Sequence, residues 1–310
     1  MKKHCYLGMM MVLILVFAGM LTGCGGSSRS GGPVPTVYAA TANGLAISRD
    51  GGMTFTIVGG LKDKVIMGLC ACGSTIYAAT QSDGLAVSTD GGSNFTYYNT
   101  SNSDLVSNAT RGVYVSGSTL YVATAGGLSI SPTGSLSFSN CLAGTSLNGV
   151  YVSGSKIYAA TDGGLEISPT GSLSFTNFLS DASVKGVYVS GSKIYEATNK
   201  GLAISPMDSV AFDYSSLDAV PRGVYVYNFT IYAGTGNGLQ ISTNGGASFD
   251  TIKTKWGSDG ILCVFGSGSS VCAGFCGTDG FGVAVSTDGG TTFKTYNFGS
   301  DDVVYSVFVQ

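Results

Sequence analysis

The chain has 310 residues, of which 48 are glycine and 11% are charged, and its formal net charge is −3 at pH 7; an average soluble chain is about 25% charged. It contains no basic run, which argues against nucleic acid as a partner. Its one histidine, His4, lies in the leader, so the mature chain has no His general base, Ser-His-Asp triad or His-containing metal site.

At the N-terminus, Lys2 and Lys3 precede an apolar run from Met9 to Met20, followed by Leu21-Thr22-Gly23-Cys24. The run is short for a spanning helix, which takes ~20 apolar residues. Basic start, apolar stretch and Leu-Thr-Gly-Cys together resemble the lipobox of bacterial lipoproteins. That resemblance implies cleavage before Cys24 and lipidation of its thiol and new amino group. It divides the chain into a signal peptide (1–23), a lipidated cysteine with a Gly/Ser tether (24–35) and a folded domain (36–310). Gly25 stands where an aspartate would signal inner-membrane retention, so the expected place is the bacterial cell envelope, at the outer membrane.

From residue 37 onward the chain repeats. A strand ending Gly-Leu-x-Ile-Ser is followed by Ser-x-Asp-x-Gly-x-Thr-Phe or a worn copy of it. The copies begin at Ser48, Ser88, Ser131, Ser168, Ser205, Ser242 and Ser286. A period near 40 residues built only of strand and turn signals is that of a β-propeller. In the unit beginning at Gly149, strands are expected over Val150–Val152, Ile157–Thr161 and Leu165–Ser168, with a short fourth around Phe175. The chain enters on a second strand, Val37-Tyr-Ala-Ala-Thr41, and leaves on a first strand, Tyr305-Ser-Val-Phe-Val309. The expectation is an all-β, seven-bladed propeller of four-stranded antiparallel blades. The C-terminal strand should pair with the N-terminal strands, which removes an open sheet edge.

Ser48–Phe55 and Ser286–Phe293 carry the full box, Ser88–Phe95 has Asn94 for Thr, and Ser242–Phe249 has Asn244 for Asp. In chemical terms Asp50, Asp90 and Asp288 cap the backbone N–H groups of their own turns, glycine takes the positive-φ position, and the aromatic residue packs on the sheet. These motifs resemble the Asp-box, or bacterial neuraminidase repeat. Families carrying it include sialidases, sortilin-type receptor domains, xyloglucan-active hydrolases and photosystem II assembly factors. Over residues 37–310 the repeats look most like the broad bacterial group related to the last of these. The resemblance implies fold more than function, and places the box away from any active site.

Glu166 and Glu196 are the only glutamates, beside 16 aspartates, and no Arg-Ile-Pro segment precedes the first box as it does in sialidases. No catalytic residue, metal or cofactor is assigned. Cys70, Cys72, Cys141, Cys263, Cys272 and Cys276 can oxidise in an exported chain. By alignment Cys263, Cys272 and Cys276 share one hairpin, as a disulfide, as buried thiols or as a three-thiolate site.

The residues just before each first strand fall at the expected mouth of the central channel: Tyr305, Met67, Arg111, Asn148, Lys185, Arg222 and Leu262. Three are cations, which suggests a site for an anion or acidic partner, with Tyr305 as an aromatic edge. Glu196 is expected to share a face with Lys185 and pair with it. Trp256, in the stretch Thr251–Gly260, is a second candidate anchor. The expected function is a monomeric, non-catalytic envelope scaffold for a protein partner, touching the membrane only through its lipid. The alternative is a carbohydrate-active or carbohydrate-binding protein; paired aspartates at the mouth would favour it.

Overall fold

The computed structural model describes residues 34–207, 209, 211–252, 260–277, 280–300 and 302–310. Within each repeat the second strand reads Ile/Leu-Tyr-Ala-Ala-Thr or close to it, a continuous apolar run rather than an alternating one. Such a run forms when both faces of a strand are covered. The structure supplies both covers: Ile157–Thr161 is buried throughout, and its counterparts in the other blades are buried likewise. The threonine closing the run has a local task. Thr161 Oγ1 donates to the Gly164 carbonyl at 2.8 Å and accepts from the Gly163 N–H, tying off the hairpin to the third strand; Thr41, Thr124 and Thr235 do the same.

Seven four-stranded antiparallel sheets result. Blade II runs from Ile66–Cys72 through Thr75–Thr80 and Leu85–Ser88 to Thr96–Tyr98, and blades III to VII repeat this plan along the chain. Blade I is composite: Val304–Val309, at the C-terminus, pairs with Val37–Thr41, so the ring closes by the expected exchange of ends. The seven first strands pack against one another in ring order and surround the central axis. The fold is a seven-bladed β-propeller.

The strands of blade IV differ from the sequence reading, by one residue at the start of the second, Lys156–Thr161, and at each end of the third, Gly164–Pro169, and by more in the other two. The first strand of blade IV is longer, Leu147–Ser153, and the fourth, Thr176–Phe178, begins after Phe175. Phe175 packs inward instead, in the cluster containing Tyr121, Leu128 and Ile157. Side chains such as Ile157, Leu165 and Leu147, at 1% exposure or less, each contribute about 1.5–3 kcal/mol by burial. Blade-to-blade packing is therefore the principal cohesion of the ring.

The two faces are distinct. In blades II to V and VII the turn after the third strand bonds to the hairpin between the first two strands: the Gly91 N–H donates to Ser74 O, Thr133 to Ser118 O, and Gly289 to Ser269 O, each at 2.9 Å. The serine-aspartate turns and inner hairpins thus share one face, and the starts of the inner strands lie on the other.

The turns are built as their residues suggest. Asp50 Oδ1 accepts from the Ser48 hydroxyl at 2.7 Å and from the Met53 and Thr54 N–H groups, and Thr54 Oγ1 donates to Oδ2. Gly51 and Gly52 sit at φ 74° and 88°. Phe55 then packs on the neighbouring blade, 5.0 Å from the Tyr296 ring and 5.4 Å from Phe298. Asp90 and Asp288 repeat the arrangement. Hydrogen bonds hold the Asp50 and Asp90 carboxyls well below the usual range, and that of Asp288 at about 2, with the Thr292 hydroxyl its largest cause.

Candidate functional site: the channel mouth

Each inner strand breaks register once, near its start. The ladder skips from Ile66 to Gly68, Thr110 to Gly112, Leu147 to Gly149, Val184 to Gly186, Pro221 to Gly223 and Ile261 to Cys263, and in blade I from Val304 to Ser306. The seven skipped residues are Met67, Arg111, Asn148, Lys185, Arg222, Leu262 and Tyr305. A β-bulge leaves one residue out of the ladder and re-aims its side chain. All seven candidates from the sequence are therefore bulge residues, at one end of one ring of strands.

Ring order sorts them by chemistry. Blades III to VI present Arg111, Asn148, Lys185 and Arg222, while blades VII, I and II present Leu262, Tyr305 and Met67. One arc of the mouth is polar and the other is apolar.

The polar arc is not uniformly available. Arg111 Nη1 donates to Asn148 Oδ1 at 3.2 Å, and Asn148 Nδ2 donates to Asp162 Oδ1 at 2.9 Å and to Val184 O. The same Asp162 oxygen accepts from Ser183 and from Lys185 Nζ, each at 2.7 Å. Lys185 holds the Asp162 carboxyl well below the usual range, with Asn148 and Ser183 adding to the effect. Asp162 was no candidate in the sequence, because its partners lie 14 to 23 residues away, Asn148 on another strand of its own blade and Ser183 and Lys185 on the next blade. Arg222 has neither a hydrogen bond nor an ion pair among the described residues. It lines a central cavity of about 230 Å³ together with Leu262 and Tyr305.

Below this rim the cavity walls are apolar, with Leu69, Val113, Val150, Val187, Val224 and Val264 at equivalent positions. An aromatic ring forms the floor. Successive ring centroids from Tyr114 through Tyr151, Tyr188, Tyr225 and Phe265 to Phe308 stand 4.8, 5.0, 5.3, 5.9 and 5.0 Å apart. Burial raises the Tyr114 hydroxyl to about 12 and lifts those of Tyr151 and Tyr188 above their ordinary value. Cys70 takes the seventh place, buried, its thiol pushed up to about 12 by desolvation. The recurrence of Gly-Val-Tyr-Val in the sequence was the available signal for this floor. Among the described lining residues Arg222 is the one charged side chain, and none is a carboxylate.

The structure overturns the expected Lys185–Glu196 pair. The bulge takes Lys185 off the strand face and towards Asp162, while Glu196 stays in the ladder opposite Val187 and Ala203. Glu196 is fully buried, neither carboxylate oxygen has a hydrogen-bond partner, and desolvation raises its carboxyl to about 8. Equivalent positions hold Ala39, Ala78, Ala159 and Ala233.

Cys263 lies opposite Gly274, diagonal to Cys272, and both retain thiols; Cys263 Sγ donates to Val304 O at 3.8 Å. Among the described residues no group of three His, Cys, Asp or Glu could hold a metal. Cys70 is likewise a thiol and does not bridge Cys72. Cys24 and Trp256 lie outside the described residues.

No family model matches the chain, and no curated protein matches it in sequence. Solved structures do resemble it. PorZ, an essential bacterial surface component of the type-IX secretion system of Porphyromonas gingivalis, aligns at 16% identity and TM-score 0.63, over 84% of this chain and 37% of PorZ. YCF48 bound to D1 peptide aligns at 17% identity and TM-score 0.59, over 74% of this chain and 82% of YCF48. An ancestral GH74 enzyme aligns at 17% identity and TM-score 0.58, over 79% of this chain and 38% of the enzyme. The chain spans less than half the length of PorZ and of the GH74 enzyme. At these identities the likeness shows the fold alone, and that fold is the β-propeller.

Proposed function

We propose that this propeller is a non-catalytic binding scaffold, anchored in the bacterial envelope through Cys24, whose channel mouth docks a protein partner. The observation that carries the reading is the cavity itself. A guanidinium without a partner among the described residues, Arg222, stands beside Leu262 and Tyr305 above apolar walls, and no described lining residue is a carboxylate. Glycoside hydrolysis commonly needs two carboxylates facing one bond. This cavity has the chemistry of recognition instead: a desolvating apolar patch with one cation to orient an acidic group. The structural likeness to YCF48 with its D1 peptide, and to PorZ as a surface component, fits such a role.

The test is cross-linking and affinity purification of the tagged full-length chain from its native envelope, beside an Arg111→Glu, Lys185→Glu, Arg222→Glu triple variant. A partner held by the parent and lost by the folded variant supports the reading. Retention by both would move the site away from the mouth, and the absence of any specific partner would overturn the scaffold.

A second reading rests on a different cavity. A polar recess of about 270 Å³ is lined by Lys64, Ser82, Asp83, Tyr97, Asn99 and Asn108. An aromatic face among amide, hydroxyl and charged groups suits a sugar. Glycan-array binding abolished by Tyr97→Ala, with the mouth variant still binding, would establish this alternative.

A further inference from the structure

The face opposite the mouth holds an exception to the repeat. Inner hairpins join the first two strands of blades II to VII. In five of them the first turn residue is a glycine, Gly73, Gly117, Gly154, Gly191 or Gly268, at φ between 57° and 60°. Blade VI instead reads Tyr227-Asn228-Phe229, with Asn228 at φ 49° and Phe229 at φ 65°. Asparagine tolerates this left-handed region, but a bulky phenylalanine there is an outlier, and such residues are strained by about 1–3 kcal/mol. Nothing among the described residues offsets the strain by packing: Phe229 is 86% exposed, and Tyr227 beside it is 38% exposed. A solvent-facing aromatic pair whose Phe229 is strained, at one of six equivalent turns, calls for an external apolar contact.

The path of the chain says what lies beside this face. Thr36 and Gln310 exchange both backbone hydrogen bonds, at 2.9 and 3.0 Å, at the lower end of the blade I inner strand. Val34 then runs beside the Ser48–Phe55 turn, where a Cβ on Gly51 would come within 3.1 Å of its Cγ1. The segment leading back to Cys24 therefore departs from the face that carries Phe229. Ten residue steps lead from Cys24 to Val34 and reach at most ~35 Å when extended.

We propose that this face rests on the lipid bilayer, with Tyr227 and Phe229 seated in its interfacial layer. The inference depends on the reading of Cys24 as a lipid anchor. Tyr227, an aromatic side chain with one polar end, favours that layer, and Phe229 adds apolar area to bury in it. A short tether makes insertion intramolecular, so a single aromatic turn suffices without high intrinsic affinity. Asp50, Asp90 and Asp288 on this face are offset by Arg49, Lys156 and Lys193, so insertion needs no anionic lipid. The consequence is orientation: the mouth with Arg222, on the opposite face, points away from the membrane towards a partner.

The test uses the full-length chain, with acylation of Cys24 checked by mass, reconstituted in phosphatidylcholine vesicles with and without shallow doxyl-labelled lipid. In a Trp256→Phe background, Phe229→Trp and Met67→Trp each place one indole, on the lower face and at the mouth. The expected result is blue-shifted emission for Phe229→Trp and quenching about twofold or more greater than for Met67→Trp, because only the former reaches the interface. An acylated chain whose two indoles are equally solvent-like overturns the orientation while leaving the anchor intact. A chain without acyl groups on Cys24 overturns the anchor and this inference with it. A thermal midpoint for each variant shows that it is folded; should Trp256→Phe unfold the chain, a bromobimane label on Phe229→Cys gives the same readout.

Discussion

Lys185 Nζ stands 2.7 Å from Asp162 Oδ1, an oxygen that also accepts from Asn148 and Ser183. The contact joins blades IV and V and disposes of one of the three cations at the mouth. A second, Arg111, is engaged by Asn148 in the same chain of bonds. Arg222 is left as the cation free to meet a ligand, although in sequence the three look equivalent.

Arg222→Glu should therefore weaken partner binding more than Arg111→Glu or Lys185→Glu, with all three variants melting close to the parent. Titrations at low and moderate salt check the ranking, and the loss should shrink as salt screens the mouth. Equal losses for all three would mean that the whole arc, not Arg222, meets the partner.

Asp162→Ala should release Lys185 and Asn148 and raise the positive potential of the mouth. The pair is about half exposed, 44% and 59%, so its removal should cost under about 1 kcal/mol. Affinity for an acidic partner should rise several-fold at low salt. Calorimetric titration beside a melting curve separates the two effects.

Glu196 gives stability a pH dependence of unusual sign for a carboxylate. Its folded pKa, about 8, lies above the ordinary 4.5, so the folded state holds a proton that the unfolded chain has lost. Stability contributed by this site is full below about pH 4.5 and declines as pH rises towards 8. Glu196→Ala, the residue of five of the six sister blades, should gain a few kcal/mol at pH 8 and little at pH 4. Urea midpoints for parent and variant between pH 4 and 9 should diverge upward; parallel curves would mean that water or a partner group reaches the carboxylate.

Two glycines at positive φ separate backbone strain from crowding. A Cβ on Gly91, at φ 73°, meets nothing within 4 Å, whereas one on Gly52, at φ 88°, would stand 2.4 Å from Val285 Cγ2 on blade VII. Gly91→Ala should cost about 1 kcal/mol from conformation alone. Gly52→Ala should add about 1–3 kcal/mol of overpacking at the seam that closes the ring. Denaturant midpoints read the difference.

Phe229→Gly should stabilise the isolated propeller by about 1 kcal/mol, because glycine adopts the left-handed conformation without strain. A higher melting temperature in buffer would show that the aromatic side chain is kept against the interest of folding.

Much of this molecule was legible in the residues. The seven repeats, the glycines and aspartates of the turns, and the terminal strands each carry their signal within about ten residues of chain, because hairpins and capped turns are local structures. The seven bulge positions were legible too, since each immediately precedes the glycine or its equivalent in the first strand. The fate of Glu196 was not. Its expected pairing assumed an unbroken ladder, and a one-residue bulge at Lys185 redirected that partner while Glu196 kept its register.

What the sequence by itself determined is therefore the propeller, its blade count, its mode of closure and the list of side chains at the channel mouth. What only the tertiary structure decided is which of those side chains remain available. Asp162 reaches Lys185 across 23 residues and two blades, and the aromatic floor forms only when six separate strands converge on one axis. Local backbone preference sets the repeat, whereas the pairing of charges depends on distances that exist only after the ring has closed.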